Sequence, residues 1–306
     1  MLQDYIIGVD AGGTGTHAVA YAADGSTLGS ARTAHGNLAL DFEAAQEHIR
    51  RAIDTLRDTT PGALRGICIG CAGADTGDGR ERLQQSLQTD YSCEIRVIND
   101  ALLALIAAHG KQDGILVIAG TGSIAYRRRG DAYRRCGGWG HLIGDGGSGY
   151  DIAMQAIRHI TTLHDRALPP DALQNALFDA LGIDALPALI AFVYRASKAD
   201  IAALCPIVLA CAADGCPVSA DILTRAGQTL AQDVLCLCDD LHADDFPVPV
   251  ALSGSVLTHA AAVRESFSCA LRASGLPLTL LPHTPDPTYG AYRAFYEDTQ
   301  KKLTKN

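Results

Sequence analysis

The sequence predicts an α/β protein made of two domains, and three observations support this prediction. The chain has 306 residues, whereas a single hydrophobic core stops growing at roughly 250 to 300 residues. Segments typical of strands and helices alternate through its first third. A hairpin with a glycine-rich tip occurs twice. Hydrophobic residues make up 48% of the chain and charged residues 19%, as in an ordinary globular protein.

The first hairpin opens the chain. Residues 5–10 form an apolar run typical of a buried strand, residues 11–16 are a glycine-rich turn, and residues 17–22 form a returning strand. The pair Asp24 and Gly25 that follows is a common turn signal. We therefore expect two antiparallel strands joined by a tip that has few side chains.

Helices and strands then alternate. Residues 41–56 have the apolar spacing of a helix, residues 66–70 and 95–98 read as short strands, and residues 101–108 read as an apolar helix. Asp100 stands between the last strand and this helix. The alternation predicts an α/β domain.

The second hairpin begins about a third of the way along the chain. Residues 114–119 read as a strand, residues 120–123 as a glycine turn, and residues 124–127 as a returning strand. Internal similarity of this kind indicates two related domains. We expect the first domain to cover residues 1–113 and the second to cover residues 114–287.

The remainder is mainly helical until a strand over residues 246–252, which ends in a third glycine-containing turn at residues 253–256. Residues 276–281 are predicted to form an edge strand because prolines limit the run at both ends. A closing helix over residues 288–306 is expected to complete the first domain.

Charge disfavours a nucleic-acid partner. The formal net charge is −9, so there is no basic field to attract a phosphodiester backbone. Five arginines flank a turn at Gly130, and we interpret them as a solvated hairpin: Arg127, Arg128, Arg129, Arg134 and Arg135. The first residues lack a signal-peptide pattern, and no apolar stretch approaches the roughly 20 residues of a membrane span. We expect a cytoplasmic protein with no membrane partner.

The ten cysteines are expected to be reduced thiols, because disulfide frameworks belong mainly to short secreted domains. Cys68 and Cys71 have the spacing of metal ligands, but they lie in an apolar strand with no second pair at a suitable distance. We interpret them as small buried side chains.

The glycine tips are candidate phosphate sites. Backbone N–H groups approach phosphate oxygens closely where side chains are absent. Asp10, at the end of the first strand, is a candidate ligand for Mg²⁺ through water, since this ion prefers oxygen ligands and keeps much of its hydration shell. The alternative is an ordinary hairpin turn with Asp10 capping it. Neither tip fits the P-loop or the dinucleotide-binding fingerprint.

Five short motifs follow one another along the chain: Asp10-Ala11-Gly12-Gly13-Thr14, Asn99-Asp100, Gly120-Thr121-Gly122-Ser123, Gly137-Gly138-Trp139-Gly140-His141 and Ser253-Gly254-Ser255. This series resembles that of the N-acetylglucosamine kinases, which belong with the BadF/BadG/BcrA/BcrD ATPase family in the superfamily of actin, sugar kinases and heat-shock ATPases. The resemblance runs from about residue 5 to residue 295. Ala11 and Gly15 depart from the family pattern within the first loop.

The resemblance implies two ribonuclease-H-like domains around an ATP-binding cleft, with ATP and Mg²⁺ as cofactors. Asp10 would hold the metal, and Asp100 would be the catalytic base. Two loops would bind the phosphates of ATP: Gly12, Gly13 and Thr14, then Gly120, Thr121 and Gly122. The adenosine side would involve Gly215, Gly254 and Ser255. The sugar would be contacted by Asn37, Asp100, Ser123, Gly138, Trp139, Gly140 and Asp145.

Phosphoryl transfer needs these residue types, because a carboxylate must accept the hydroxyl proton as the nucleophile attacks. Each assignment has a structural alternative. Asp100 would otherwise cap the helix that follows it, Asp145 would form a turn between two glycines, and Trp139 would belong to the core.

The expected reaction transfers phosphate from ATP to the 6-hydroxyl of N-acetyl-D-glucosamine. One alternative is glucosamine as the substrate. Another is an ATPase activator of an acyl-CoA dehydratase or reductase, which would need cysteines such as Cys136 to hold an iron–sulfur cluster. The expected partners are the amino sugar and ATP, and a homodimer is left open.

Overall fold

The chain folds as two units in this computed structural model, which describes residues 4–245 and 247–297. Unit 1 contains the described residues up to Asp113 and those from His283 onward, and unit 2 is Gly114–Pro282. The stretch 283–287, which the sequence assigned to the second domain, therefore lies in unit 1. Phe246 of the predicted strand and residues 298–306 of the predicted closing helix lie outside the described residues.

Unit 1 is built on a five-stranded sheet with the order β3-β2-β1-β4-β5. The first three strands are antiparallel, and β4 and β5 run parallel to β1. Its strands are β1 Tyr5–Ala11, β2 Thr16–Ala22, β3 Thr27–Thr33, β4 Leu64–Cys71 and β5 Glu94–Asn99. Its first helices are α1 Phe42–Thr59, α2 Gly79–Asp90 and α3 Asp100–His109. The last described segment, α12 Tyr289–Tyr292 followed by a wide turn at Arg293–Glu297, packs against α3 and β1.

The sheet of unit 1 has a core on each face. Alternate side chains of a strand point to opposite faces, so Ile7 packs with the core under α1 and α2, whereas Ile6 packs under α3 and α12. Cys68 and Cys71 divide in the same way, which prevents them from binding one metal ion. Burial raises the pKa of each of these thiols to about 12. Gly8 is required because a Cβ there would lie 2.2 Å from the oxygen of Thr288.

Unit 2 repeats the strand order, here β8-β7-β6-β9-β10, with β6 in the place of β1. Its strands are β6 Gly114–Ala119, β7 Ser123–Arg129, β8 Ala132–Gly137, β9 Val248–Ser253 and β10 Leu278–Leu280. The first three are antiparallel, and β9 and β10 are parallel to β6. The predicted repeat and the ribonuclease-H-like fold class are confirmed, as is the edge strand.

The helices of unit 2 are mostly inserted between β8 and β9: α4 Gly149–Asp165, α5 Ala172–Leu181, α6 Leu186–Arg195, α7 Lys198–Ala202, α8 Cys205–Ala213 and α9 Pro217–Cys238. A short 3₁₀ turn at Ala243–Asp245 precedes β9, and α10 Ser255–His259 and α11 Ala261–Ala273 follow it. Among the described residues no single helix is both long and apolar enough to cross a membrane. Two sharply bent helix pairs reach the required length and composition only when each pair is taken together.

The arginine hairpin of unit 2 is less solvated than the sequence predicted. Arg127 is only 4% exposed, and its guanidinium donates to the carboxylate of Asp240 at 2.6 and 2.8 Å. Arg134 contacts the same carboxylate at 2.5 Å. The interpretation as a solvated hairpin was therefore wrong for Arg127, which pairs with Asp240 after α9, and for Arg128, which is also buried and donates from Nε to the oxygen of Gly130 at 2.8 Å.

Candidate active site

The carboxyl ends of three strands align at one edge of the unit 1 sheet. Ala11 of β1 pairs with Cys71 of β4, which pairs with Asn99 of β5. Parallel strands in this register bring the residues after them to the same edge. Asp10 and Asp100, two predicted site residues, are thereby brought together.

The carboxylates at this edge repel one another. Burial raises the pKa of Asp10 to about 7, and the negative charges of Asp100 and Asp286 add to the effect, while Arg32 opposes it. Burial also raises the pKa of Asp100. The backbone N–H groups of Ala101 and of Asp100 itself lower this pKa, and the negative charge of Asp75 raises it. Such an edge favours the binding of a cation or the uptake of a proton.

Asp100 does not cap the helix that it begins. The N-cap of α3 is Asn99, whose Oδ1 accepts a hydrogen bond of 2.9 Å from the backbone N–H of Ala101. The Nδ2 of Asn99 donates to Oδ2 of Asp75 at 2.9 Å. The alternative that Asp100 is the N-cap is therefore wrong, because Asn99 holds that position; the Asp100 carboxylate still interacts with the backbone N–H groups of Ala101 and of Asp100 itself.

The first glycine turn lies beside Asn37. The N–H of Gly12 donates to the oxygen of Gly15 at 2.9 Å, and the oxygen of Gly12 accepts from Gly36, the residue before Asn37. Gly13 and Thr14 form the tip, and a Cβ on Gly13 would meet no atom within 4 Å. The unit 1 edge thus combines a turn with open space beside it, two carboxylates and an amide side chain.

In unit 2 the second and third glycine turns lie side by side. Gly254 has a φ of 87°, and a Cβ there would lie 2.3 Å from the oxygen of Ala119. A Cβ on Gly120 would lie 3.7 Å from Oγ of Ser255. Thr121 lies in the same turn between β6 and β7. The third turn therefore needs glycine at position 254 for this close approach, whereas a Cβ on Gly120 would make only an ordinary van der Waals contact.

The loop after β8 folds over the turn at residues 120–123. Oγ of Ser123 donates to the oxygen of Gly146 at 2.8 Å. Asp145 is 3% exposed and has a φ of 60°, a left-handed conformation that aspartate tolerates better than most residues. Its Oδ2 accepts a 2.7 Å hydrogen bond from Nζ of Lys198. Asp145 therefore does more than form a turn, because its carboxylate is buried against this site.

Trp139 is 59% exposed, so the alternative that it belongs to the core is wrong. The guanidinium of Arg135 stacks over its ring at 3.8 Å from the centroid. Gly138 packs against Ile124 so closely that a Cβ would lie 2.3 Å from its Cδ1. The oxygen of Gly140 accepts from the N–H of Gly144 at 2.8 Å and closes the loop.

Gly215 ends α8 with a φ of 88°, and a Cβ there would meet no atom within 4 Å. The structure does not pack it against the glycine turns. Gly215 lies in the connection between α8 and α9. Residues of these two helices, together with residues of α10 and α11, line a groove of about 870 Å³. Small side chains form much of this wall, including Ala212, Ala213, Ala220, Ala260, Ala261 and Ala262.

A family model, described as the BadF/BadG/BcrA/BcrD ATPase family, matches residues 7–271. The chain belongs to this family. It is similar to an N-acetylmuramic acid/N-acetylglucosamine kinase of Clostridium acetobutylicum, with 30% identity over 94% of this chain and 96% of the relative. It is also similar to an N-acetyl-D-glucosamine kinase of Dictyostelium discoideum, with 28% identity over 95% and 97% of the two chains.

Among solved structures, the chain is similar to a Chromobacterium violaceum protein proposed to be an N-acetylglucosamine kinase. The TM-score is 0.77 with 26% identity, and the match covers 95% of this chain and 98% of the other. The expected resemblance to the BadF/BadG/BcrA/BcrD ATPase family is confirmed.

Three charged residues of this family member were not identified from the sequence. Asp75 follows the small-residue loop after β4, Asp286 stands between two prolines before α12, and Lys198 begins α7. The Ser197 to Asp200 spacing is that of a capping box and indicates the start of a helix. Nothing in the sequence indicates that Lys198 reaches a loop more than 50 residues earlier, because only tertiary folding creates that contact.

Proposed function

We propose that this chain is an ATP-dependent kinase that phosphorylates the 6-hydroxyl of an amino sugar, with N-acetyl-D-glucosamine as its first candidate substrate. The observation that carries the proposal is the position and environment of Asp100. It lies at a strand end that carries several carboxylates, it is not used as the helix cap, and its pKa is raised by burial. Relatives that span nearly the whole chain are named as kinases of this sugar.

Asp100 acts as the general base in this proposal. As the sugar oxygen O6 forms its bond to the γ-phosphorus, the bond from that phosphorus to the bridging oxygen breaks and ADP leaves. The O6 proton moves to the carboxylate of Asp100. A raised pKa suits this role, because a base works best when its pKa approaches the operating pH.

The carboxylates of unit 1 fit a hard cation. The pKa of Asp10 is raised to about 7 by burial and by the charges of Asp100 and Asp286, and a cation beside Asp10 would relieve that repulsion. Mg²⁺ would neutralise phosphate charge when it is bound. We assign Asp10 to hold this ion through water, which suits its preference for retained hydration.

The glycine turns would hold the nucleotide. Gly12 and Gly120 would shape the two turns, because their N–H groups donate to the oxygens of Gly15 and Gly122, both at 2.9 Å. The backbone N–H groups of Gly13 and Thr14 in the first turn, and of Thr121 and Gly122 in the second, would donate to phosphate oxygens. The alanine-walled groove beside Gly215 suits a flat aromatic base, because small side chains leave wide apolar surfaces. Gly254 and Ser255, which precede the groove residue His259, would approach the adenosine.

The acceptor sugar would be contacted by polar and aromatic groups. Asp145 would accept hydrogen bonds from neighbouring hydroxyls, and the exposed ring of Trp139 would cover an apolar sugar face. The other proposed contacts are Asn37, Ser123, Gly138 and Gly140. The ten free thiols and the use of ATP suit a reducing cytoplasm.

The activator alternative is disfavoured by the chemistry of Cys136. An iron–sulfur cluster is held by thiolates. The Sγ of Cys136 instead donates to the carboxylate of Asp233 at 3.4 Å, and the relatives that span nearly the whole chain are named as sugar kinases. Glucosamine remains the competing substrate, since it differs from N-acetylglucosamine only at the 2-substituent.

The test is an ADP-release assay with N-acetylglucosamine, glucosamine, N-acetylmuramate, N-acetylmannosamine and glucose. We expect the largest kcat/KM for N-acetylglucosamine, a 6-phosphate product by NMR, and a kcat lowered about 10²- to 10⁴-fold in Asp100→Asn. ADP release that no sugar stimulates would contradict the proposal, and a larger kcat/KM for glucosamine would change the substrate.

A further inference from the structure

The strongest unassigned feature is the ion pair of Lys198 with Asp145. Nζ of Lys198 lies 2.7 Å from Oδ2 of Asp145. The lysine side chain is 33% exposed, whereas that of the aspartate is 4% exposed. A buried carboxylate is costly unless a counter-charge and hydrogen bonds compensate it, and Lys198 provides both.

The pair lies directly over the turn at residues 120–123. A Cβ on Gly122 would be 2.7 Å from Nζ of Lys198 and 2.9 Å from Oδ2 of Asp145. A side chain at Gly122 would force the ammonium or the carboxylate to shift, so the ion pair occupies the space that such a side chain would need. The lysine therefore links the loop that carries Asp145 to this turn.

Both partners are held by local structure. Lys198 is the first residue of α7, where Ser197 and Asp200 form a capping box, and α7 packs against α4. On the other side, the oxygen of Asp145 accepts from the N–H of Ser148, the N-cap of α4. The ammonium and the carboxylate thus meet in a framework that two helix starts fix, which limits the entropy cost of the pair.

We propose that Lys198 is a positioning residue for the acceptor sugar. It fixes the Asp145 carboxylate beside Gly122 and balances its charge, so that Asp145 is oriented to accept sugar hydroxyls. An ionised carboxylate has about four lone-pair sites, and one hydrogen bond to Lys198 leaves others for the ligand. This inference rests on the proposed function, because it takes Asp145 as a sugar contact.

A different role would place the ammonium on the transferred phosphoryl group, since Gly122 belongs to the proposed phosphate loop. The contact that the structure contains is with Asp145, so positioning of that carboxylate is the better supported role. The two roles differ in the ligand whose affinity depends on Lys198.

The test compares Lys198→Met, Lys198→Arg, Asp145→Asn and the Lys198→Met/Asp145→Asn double variant. Calorimetry measures N-acetylglucosamine and the non-hydrolysable ATP analogue AMPPNP separately, and melting temperature reports folding. Lys111→Met, a lysine substitution in unit 1, is the matched control. We expect Lys198→Met to weaken sugar binding about 10-fold or more, as expected for loss of a buried charge partner, with AMPPNP affinity unchanged within about twofold.

The sugar affinity of the double variant distinguishes positioning of Asp145 from a merely structural role of Lys198. If Lys198 acts on the sugar through Asp145, the double variant binds sugar no worse than Asp145→Asn, because directly coupled residues are not additive. Lys198→Arg keeps the charge and restores part of the affinity. In turnover, KM for the sugar rises more than kcat falls.

Sugar affinity that stays at the parent value in Lys198→Met overturns the inference, as do additive losses in the double variant. Loss of AMPPNP affinity with intact sugar binding assigns the ammonium to the phosphoryl group and also overturns it. If the parent binds no amino sugar, or if Asp145→Asn binds sugar normally, the proposed function or its sugar site fails first. That outcome is distinct, because it appears without any change at Lys198.

Discussion

The burial of Asp10 beside other carboxylates leads to a quantitative prediction for Asp10→Asn. The pKa of Asp10 is raised from 3.8 to about 7, by burial first and then by Asp100 and Asp286. The folded chain therefore holds this proton more tightly than the unfolded chain. The stabilisation that it provides is complete below pH 3.8 and is lost as the pH rises through about 7.

The magnitude follows from the shift. A difference of about three pKa units, at about 1.4 kcal/mol per unit, corresponds to roughly 4 kcal/mol of unfolding free energy. Asparagine keeps the shape of the side chain and does not titrate. Relative to the parent, Asp10→Asn should therefore gain about 4 kcal/mol between pH 4 and pH 8, while it loses Mg²⁺-dependent activity. Stability gained at the cost of function is common at active sites.

The assay is thermal and urea unfolding from pH 4 to pH 8 in buffer with EDTA. Asp78→Asn is the control, because the Asp78 side chain is 80% exposed, and its profile should follow that of the parent. Adding Mg²⁺ with AMPPNP should stabilise the parent more than Asp10→Asn, since a ligand stabilises the state that binds it. Parallel pH profiles for the parent and Asp10→Asn would refute the raised pKa of Asp10.

Three further predictions concern other residues of the two units. Asp100→Asn should lower kcat by about 10²- to 10⁴-fold, while the melting temperature and both ligand affinities stay near the parent values. If the variant retains more than about a tenth of the parent kcat, Asp100 is not the base. Asn37→Ala and Asp145→Ala should each weaken sugar binding much more than AMPPNP binding in calorimetry, and equal losses would remove them from the sugar site. Gly254→Ala should destabilise unit 2 by more than about 3 kcal/mol because of a steric clash as well as a positive φ. Gly182→Ala, which has a positive φ but no atom within 4 Å, should cost only about 1 kcal/mol, so equal losses would show that the clash is absent.

The sequence predicts much of the fold because its strongest signals are local. The two glycine hairpins and their flanking strands are readable from runs of apolar residues. Strand β3 was not predicted, because Thr27–Thr33 lies at the sheet edge with most of its side chains exposed and has no apolar alternation. Helix α2 was missed for a similar reason, since Leu83 and Leu87 are its only buried large side chains.

The residues of the candidate site also differ in whether a local sequence signal identifies them. Asp10 and Asp100 were identified because a carboxylate at a strand end is visible in the sequence. Asp286 and Lys198 were not, because their positions beside Asp10 and Asp145 arise from chain segments that return from far along the sequence. Sequence patterns indicate where an element begins and ends, and they do not indicate which distant charge folds against it.

The charges beside the glycine turns of the two units differ, and this difference supports the assignment of the metal to Asp10. Because the units share one strand order, β6 occupies the place of β1, and a glycine turn follows each of these strands. In unit 2, the carboxylate of Asp145 packed against its turn is paired with Lys198 at 2.7 Å. In unit 1, Asp10 is repelled by Asp100 and Asp286, and Arg32 compensates only part of this. Equivalent turns therefore differ in net charge, and a divalent cation gains more from binding beside Asp10 than beside a carboxylate that is already neutralised.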